Sequence, residues 1–298
     1  MNIMKVNVRV PTPFILLLPL IVIFSFVLIY PWALGLYYSL LRYRPMYGLS
    51  TEFIGLENYI SIIKDPVFYN ALKVTGNFML LAVAFEMILG LLLAEILDGI
   101  KHELLRKTAV VIILIPMMTA TVYAALSWRL IFYPLFGVAN YFLTLLGLPP
   151  QDWFGDPRWP IPVVAMVDIW QNTAFVTLVL FAGLQSLPTE WIEAARIDGA
   201  SSWQIFRYIK IPFLRPLILI ALFFRIIITL RVFESVMLIF SETGGPGMAA
   251  QVLGVYLYWL AFRIFDLGRA AALSWIMLLL TVGLSFILLI RFYKEVKM

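Results

Sequence analysis

Six stretches of this chain are each apolar for more than twenty residues, and that feature decides what it can fold into. They cover about residues 13–41, 72–97, 108–132, 161–184, 213–240 and 270–292. A helix rises about 1.5 Å per residue, so about 20 apolar residues cross the hydrocarbon of a bilayer. In lipid a backbone must satisfy its own hydrogen bonds, and a helix does so within one segment. The sequence therefore predicts an all-α integral membrane protein with six transmembrane helices in a single domain, residues 1–298. Composition closes off the soluble alternative: 63% of residues are hydrophobic, 13% are charged and mean hydropathy is +0.96, whereas soluble domains average about 25% charged. The first stretch is too long for a signal-peptide core and lacks a small-residue cleavage site, so it reads as a retained span.

Composition also excludes several chemistries. The chain has no cysteine, which removes disulfides, thiol catalysis and zinc–thiolate sites. The single histidine, His102, begins a His-Glu pattern without the second histidine that a zinc site needs; it reads as a solvated loop residue. Neither a G-x-S-x-G elbow nor a G-x-x-x-x-G-K-[ST] phosphate loop occurs. No enzymatic activity, metal or cofactor is expected of this chain itself. The net charge of +5 gives no nucleic-acid face, because the cations are scattered at the ends of the apolar stretches.

Their distribution sets orientation. Twelve lysines and arginines fall on one side: Lys5, Arg9, Lys101, Arg106, Lys107, Arg196, Arg207, Lys210, Arg215, Arg291, Lys294 and Lys297. Seven fall on the other: Arg42, Arg44, Lys64, Lys73, Arg158, Arg263 and Arg269. The positive-inside rule puts both termini and the segment 185–212 in the cytoplasm of a cell membrane. On the outer side, Asp65-Pro66 reads as a helix start, Asp152-Trp153 and Asp156-Pro157 as turns, and Trp153 and Trp159 as aromatic-belt residues.

The segment between the fourth and fifth stretches is a polar, cationic island, EAARIDGASSWQIFRYIKIPFLRP (Glu193–Pro216). A short helix follows Ser186-Leu187-Pro188 and ends near Gly199, where a positive φ allows a sharp reversal. Ser201 and Gln204 then form a capping box for a second helix, which Pro212 and Pro216 are expected to close. Small alanines let another protein come near, and Trp203 and Phe206 can fill its pockets.

Here the chain resembles the permeases of binding-protein-dependent ABC importers. Glu193-Ala194-Ala195, Asp198-Gly199-Ala200, Phe206, Ile209 and Ile211-Pro212 match that family's EAA loop, with Ile211 in place of the usual leucine. The runs FIGLENY…DPVFYNALKVTGNF, RVFESVMLIFSETGGP and LGRAAALSWIM resemble further motifs of the sugar-uptake branch, the maltose, trehalose and glycerol-3-phosphate permeases. Likeness extends over about residues 14–292. It implies a type I importer permease fold whose loop is a coupling helix, with Glu193, Ala194, Ala195, Asp198, Gly199, Ala200, Trp203, Phe206 and Pro212 seated on an ATPase. The partners implied are ATP-binding subunits in two copies that hold ATP and magnesium, a second homologous permease and an extracytoplasmic solute-binding protein.

Charges within the spans need partners or a wet pathway, since each costs about 2.5–3.5 kcal/mol or more at the bilayer centre. Arg231 and Glu234 are i,i+3 neighbours on the expected fifth helix. They read either as pathway residues, as the family's polar positions before GGP imply, or as an ion pair locking that helix. Arg225 lies about 240° round the helix from Arg231, so Asp168 can serve as its counter-ion. Gln171 and Asn172 offer donors and acceptors for hydroxyls, with Trp170 and Phe175 near enough in sequence to stack on a sugar, though amides also glue helices. Glu86 reads as an interhelical partner and Glu95 as interfacial. The expected pathway is Asp168, Gln171, Asn172, Arg231 and Glu234, and the expected cargo a neutral sugar. A phosphorylated polyol is the alternative. An autonomous carrier or channel is a further one, which the docking loop disfavours.

Overall fold

The computed structural model describes residues 12–48 and 51–296. Lys5, Arg9 and Lys297, used above for orientation, lie outside them, as do the side chains of Arg291 and Lys294. Among the described residues five helices are long and apolar enough to cross a membrane: Leu16–Ser39, Pro66–Gly99, Pro160–Gln185, Ser202–Thr229 and Leu267–Ile290. A sixth span exists if the bent pair Glu103–Met118 and Thr121–Ile131 counts as one.

The chain divides into two compact units, Met1–Ile62 with Leu260–Ile276, and Ile63–Trp259 with Met277–Met298. In the first, α1 (Thr12–Phe24) runs through a π turn, Ser25–Ile29, into α2 (Tyr30–Ser39). A two-stranded antiparallel ribbon follows, β1 (Leu41–Arg42) on β2 (Glu52–Phe53), then α3 (Glu57–Ile63). The FIGLENY motif acts here as a clamp. Buried Asn58 donates to the carbonyls of Ser39 and Leu41, both at 2.8 Å, where α2 has run out of helical partners.

The second unit is framed by α4 (Pro66–Gly99). Asp65 caps it, accepting from Val67 N at 2.9 Å, and Pro66 fills the first turn as expected. Its main neighbour is α8 (Pro160–Gln185). The two backbones approach at Gly90, where a Cβ would lie 2.6 Å from Val176 Cγ1, so a side chain there would force the helices apart.

The third and fifth spans depart from expectation. The third is α5 (Glu103–Met118) and α6 (Thr121–Ile131), bent by 91° across an extended Thr119-Ala120. The fifth starts earlier and ends sooner than 213–240. The island helix α10 (Ser202–Ile205) continues through a π turn, Phe206–Lys210, into α11 (Ile211–Leu230). Pro212 and Pro216 do not close it. Pro212 stands in the first turn of α11, and the preceding turn widens so that Ile211 N reaches Phe206 O. The wider turn makes room for the proline ring and for the carbonyl left without a donor. Beyond Leu230 the chain breaks at Arg231–Phe233 and resumes as α12 (Glu234–Phe240).

Between α6 and α8 lies α7 (Val138–Leu145). Asn140 pins it: its amide donates to Pro134 O and Gln151 O and accepts from Gln151 N and Trp153 Nε1, all at 2.9 Å. Trp153 is therefore a core residue, packed between Phe132 and Trp159, and not a belt residue. The remaining α-helices among the described residues are α9 (Thr189–Ile197), α13 (Leu253–Tyr258) and α14 (Leu267–Val296). Buried Thr75 accepts from Leu253 N at 2.9 Å, satisfying a donor at the start of α13.

Candidate functional site

Both helix breaks open onto one cavity of about 640 Å³. Met117–Thr121 and Arg231–Ser235 form its walls together with Asp168, Gln171, Asn172, Ile228 and Thr229. All five expected pathway residues are thus brought together. The break at Thr119 frees a carbonyl, and Gln171 Nε2 donates to it at 2.6 Å. Irregular backbone at membrane depth persists only where side chains or water replace the lost helical bonds, and here a side chain does so.

Arg231 and Glu234 do not pair. The continuous helix that would set them on one face is interrupted: Arg231 caps the end of α11 and Glu234 opens α12. Among the described residues no ion pair joins them, and both are exposed to the cavity. The buried charge cluster forms elsewhere. Arg225 Nε and Nη2 grip Glu86 Oε2 and Oε1 at 2.6 and 2.8 Å, and Nη2 reaches Asp168 Oδ2 at 2.7 Å. Asp168 is the counter-ion expected, and Glu86 shares that duty. The second oxygen of Asp168 accepts from Asn172 Nδ2 at 2.9 Å, so Asp168 links the cluster to the cavity wall. Trp170 and Phe175 do not line the cavity: the first meets Trp128 edge-on and the second packs on Phe224. The ring that does line it is Phe233.

The cytoplasm-assigned loop is built from local signals. At the end of α9, Ala200 N donates to Ala195 O at 2.9 Å and Gly199 N to Arg196 O at 3.1 Å, the paired bonds of a Schellman stop. Gly199 supplies the φ of +81° that this stop requires. Ser201 and Gln204 then exchange side-chain and backbone bonds in a complete capping box. The result presents Glu193, Ala194, Asp198 and Gly199 to the exterior, with Ala195 and Ala200 half-buried. Large apolar side chains stand exposed beside them, Ile197 at 87% and Trp203 at 64%. Trp203 stacks on Phe206 with ring centres 5.5 Å apart. Pro212 joins Trp191, Tyr208, Ile209 and Phe213 around a second cavity of about 500 Å³.

One cluster leaves no signal in the sequence. Lys210 Nζ lies 2.6 Å from Glu95 Oε1 and 2.8 Å from Asp98 Oδ2. Periodicity relates residues within a helix, and no pattern relates residues 115 apart.

Membrane-length helices that break around a polar cavity, with a capped and solvent-facing loop on one of them, define a transport permease. Comparison with known proteins agrees. Residues 86–294 match the binding-protein-dependent transport system inner membrane component, and the chain belongs to that family. A probable ABC transporter permease protein of Sinorhizobium fredii is 36% identical, over 97% of this chain and 92% of its own. The trehalose/maltose transport system permease protein of Thermococcus litoralis is 34% identical, over 86% and 83%. The fold is the type I permease fold of ABC importers: a chain of a bacterial ABC transporter involved in import of the acidic polysaccharide alginate superposes with a TM-score of 0.83. It is 24% identical, with 94% of each chain covered.

Proposed function

We propose that this chain is the permease subunit of an ATP-driven importer for an uncharged sugar, with its termini and the 185–212 loop in the cytoplasm. The cavity at the two helix breaks carries this reading. It is lined by the carboxylate of Glu234, the guanidinium of Arg231 and the amides of Gln171 and Asn172 beside Asp168, a set that both donates to and accepts from hydroxyls. Its charge balance disfavours an anionic cargo. The Arg225 guanidinium is occupied by Glu86 and Asp168, which leaves Arg231, among the described residues, as the cavity's free guanidinium, with the Glu234 carboxylate in the same lining, instead of two arginines converging on a phosphate. Relatives named for trehalose/maltose and lactose transport support the sugar class.

Glu193, Ala194, Ala195, Asp198, Gly199, Ala200, Trp203, Phe206 and Pro212 would seat on an ATPase subunit, whose surface would cover the exposed Ile197 and Trp203. A pair of such ATPases, holding ATP and magnesium, would drive a pore shared with a second permease and fed by an extracytoplasmic binding protein. A related structure contains an alginate ABC transporter with a pentasaccharide-bound periplasmic protein. The test is cargo-stimulated ATP hydrolysis by the assembled complex in liposomes, across neutral sugars and sugar phosphates. Stimulation by neutral sugars is expected. Stimulation by glycerol-3-phosphate alone would overturn the cargo assignment, and uptake without any ATPase subunit would overturn the importer reading.

A further inference from the structure

The helix that leaves the docking loop is tied to α4 at two levels. At its start Lys210 is held by Glu95 and Asp98. The other oxygen of Asp98 accepts from Gln185 Nε2 at 3.0 Å, which draws the end of α8 into the same knot. About fifteen residues on, or about 22 Å of helix, Arg225 makes its bonds to Glu86 and Asp168. One tie would leave a pivot, whereas two so far apart fix the tilt of the helix.

The position of Lys210 matters as much as its partners. It is the last residue of the π turn, two residues before Pro212, and only 8% exposed. A widened turn beside a residue without an N–H is the most compliant point between loop and span. A push on α9 and α10 would be taken up there unless something stiffens it. The ammonium set between two carboxylates does so, and the far end of the same helix is Leu230, beside the cavity wall at Arg231.

We propose that Lys210, with Glu95 and Asp98, transmits displacement of the loop to the cargo cavity, as a positioning cluster and not as a docking contact. This rests on the reading of the loop as ATPase-docking. The test uses the complete complex in liposomes, with ATP hydrolysis and sugar uptake measured on the same vesicles. Lys210→Met and the double variant E95Q/D98N should each assemble with the ATPase subunits and hydrolyse ATP. The ATP consumed per sugar should rise about five-fold or more, the low end of ordinary site-to-site coupling. Lys210→Arg should restore the wild-type ratio, and K210M added to E95Q/D98N should raise it no further. Should K210M fail to fold, E95Q/D98N decides alone. An unchanged ratio, with both rates falling together, would reduce the cluster to a structural one and overturn the proposal. Loss of ATPase association in both variants would overturn it in favour of a docking contact. Failure of the wild-type chain to assemble would remove the docking reading, and this inference with it.

Discussion

Arg225→Met removes the guanidinium that holds Glu86 and Asp168 together inside the bundle. The three bonds lost measure 2.6, 2.8 and 2.7 Å, and the side chains of Arg225 and Glu86 are 1% and 0% exposed. Charge-assisted bonds of this kind contribute about 1.5–3 kcal/mol each, or about 4.5–9 kcal/mol if they added. They do not add, because Asp168 keeps its bond from Asn172 and is 16% exposed to the cavity. Breaking one member out of a buried pair costs about 3–5 kcal/mol, and that is the expected loss here. At about 2–4 °C per kcal/mol for a chain of a few hundred residues, the thermal midpoint should fall by on the order of 10 °C. The assay is thermal unfolding of the purified protein in lipid nanodiscs. The cause assigned is uncompensated buried charge, so replacing the whole cluster, R225M/E86L/D168L, should recover much of the loss. A fall of less than about 2 °C for R225M would refute the energetic argument. A triple variant no more stable than R225M would show that packing of the arginine stem, and not charge, is what matters.

Gly199→Val places a β-branched residue at φ +81°, a conformation that costs on the order of 1–3 kcal/mol. Association with ATPase subunits should fall sharply, while Gly199→Asn, which tolerates the left-handed region, should retain most of it; equal retention by both, measured by co-purification, would show that the Schellman stop is dispensable. In the loop before α8, the Arg158 side chain donates to Asp156 and holds its carboxyl below the usual aspartate range. The folded value is depressed, so this contact is fully present above the ordinary aspartate pKa of about 3.9 and is lost as pH falls through the lowered value. Pepsin should therefore begin to cut the 148–160 loop of Arg158→Gln at a higher pH than it does in wild type, and coincident profiles would refute the assignment.

What the sequence made legible was local. The cap at Asp65-Pro66, the reversal at Gly199 and the box between Ser201 and Gln204 each depend on residues within five positions, and each forms. Asp168 is legible as a counter-ion because isolated opposite charges in apolar stretches have few other partners. Its co-ligand Glu86 lies 139 residues from Arg225, beyond any periodic rule. Hydropathy also does not see backbone direction: the apolar run passes through Thr119-Ala120 without a mark, and Arg231 shows only as a charge within a continuous span, yet the helices break at both places. The same blindness hid α7, which is apolar but too short to register as a span. Trp153 was assigned to a belt by residue type, whereas Asn140 Oδ1 gives its indole N–H a buried partner.

The placement of the breaks carries a mechanical consequence. α4 runs unbroken for 34 residues and is tied to its neighbours at Asp65, Thr75, Glu86 and Glu95. α8 is also unbroken and packs along it. The bent pair α5–α6 and the span that ends at the break between α11 and α12 are the ones whose breaks wall the cavity. In lipid a gap in a helix is stable only if other groups take over the freed backbone bonds, so each gap can exchange one set of partners for another more readily than intact helix can. The loop follows α8 and runs on into α11, and it is not continuous with α4. A displacement at Ser202 therefore travels about 40 Å along one helix before it meets backbone free to change direction, and it meets it at Arg231, on the cavity wall. Interrupting that path with a flexible insertion, Gly-Gly after Phe213, should leave ATPase docking intact and abolish sugar uptake. Uptake persisting with the insertion in place would mean that the loop acts on the cavity by some route other than this helix.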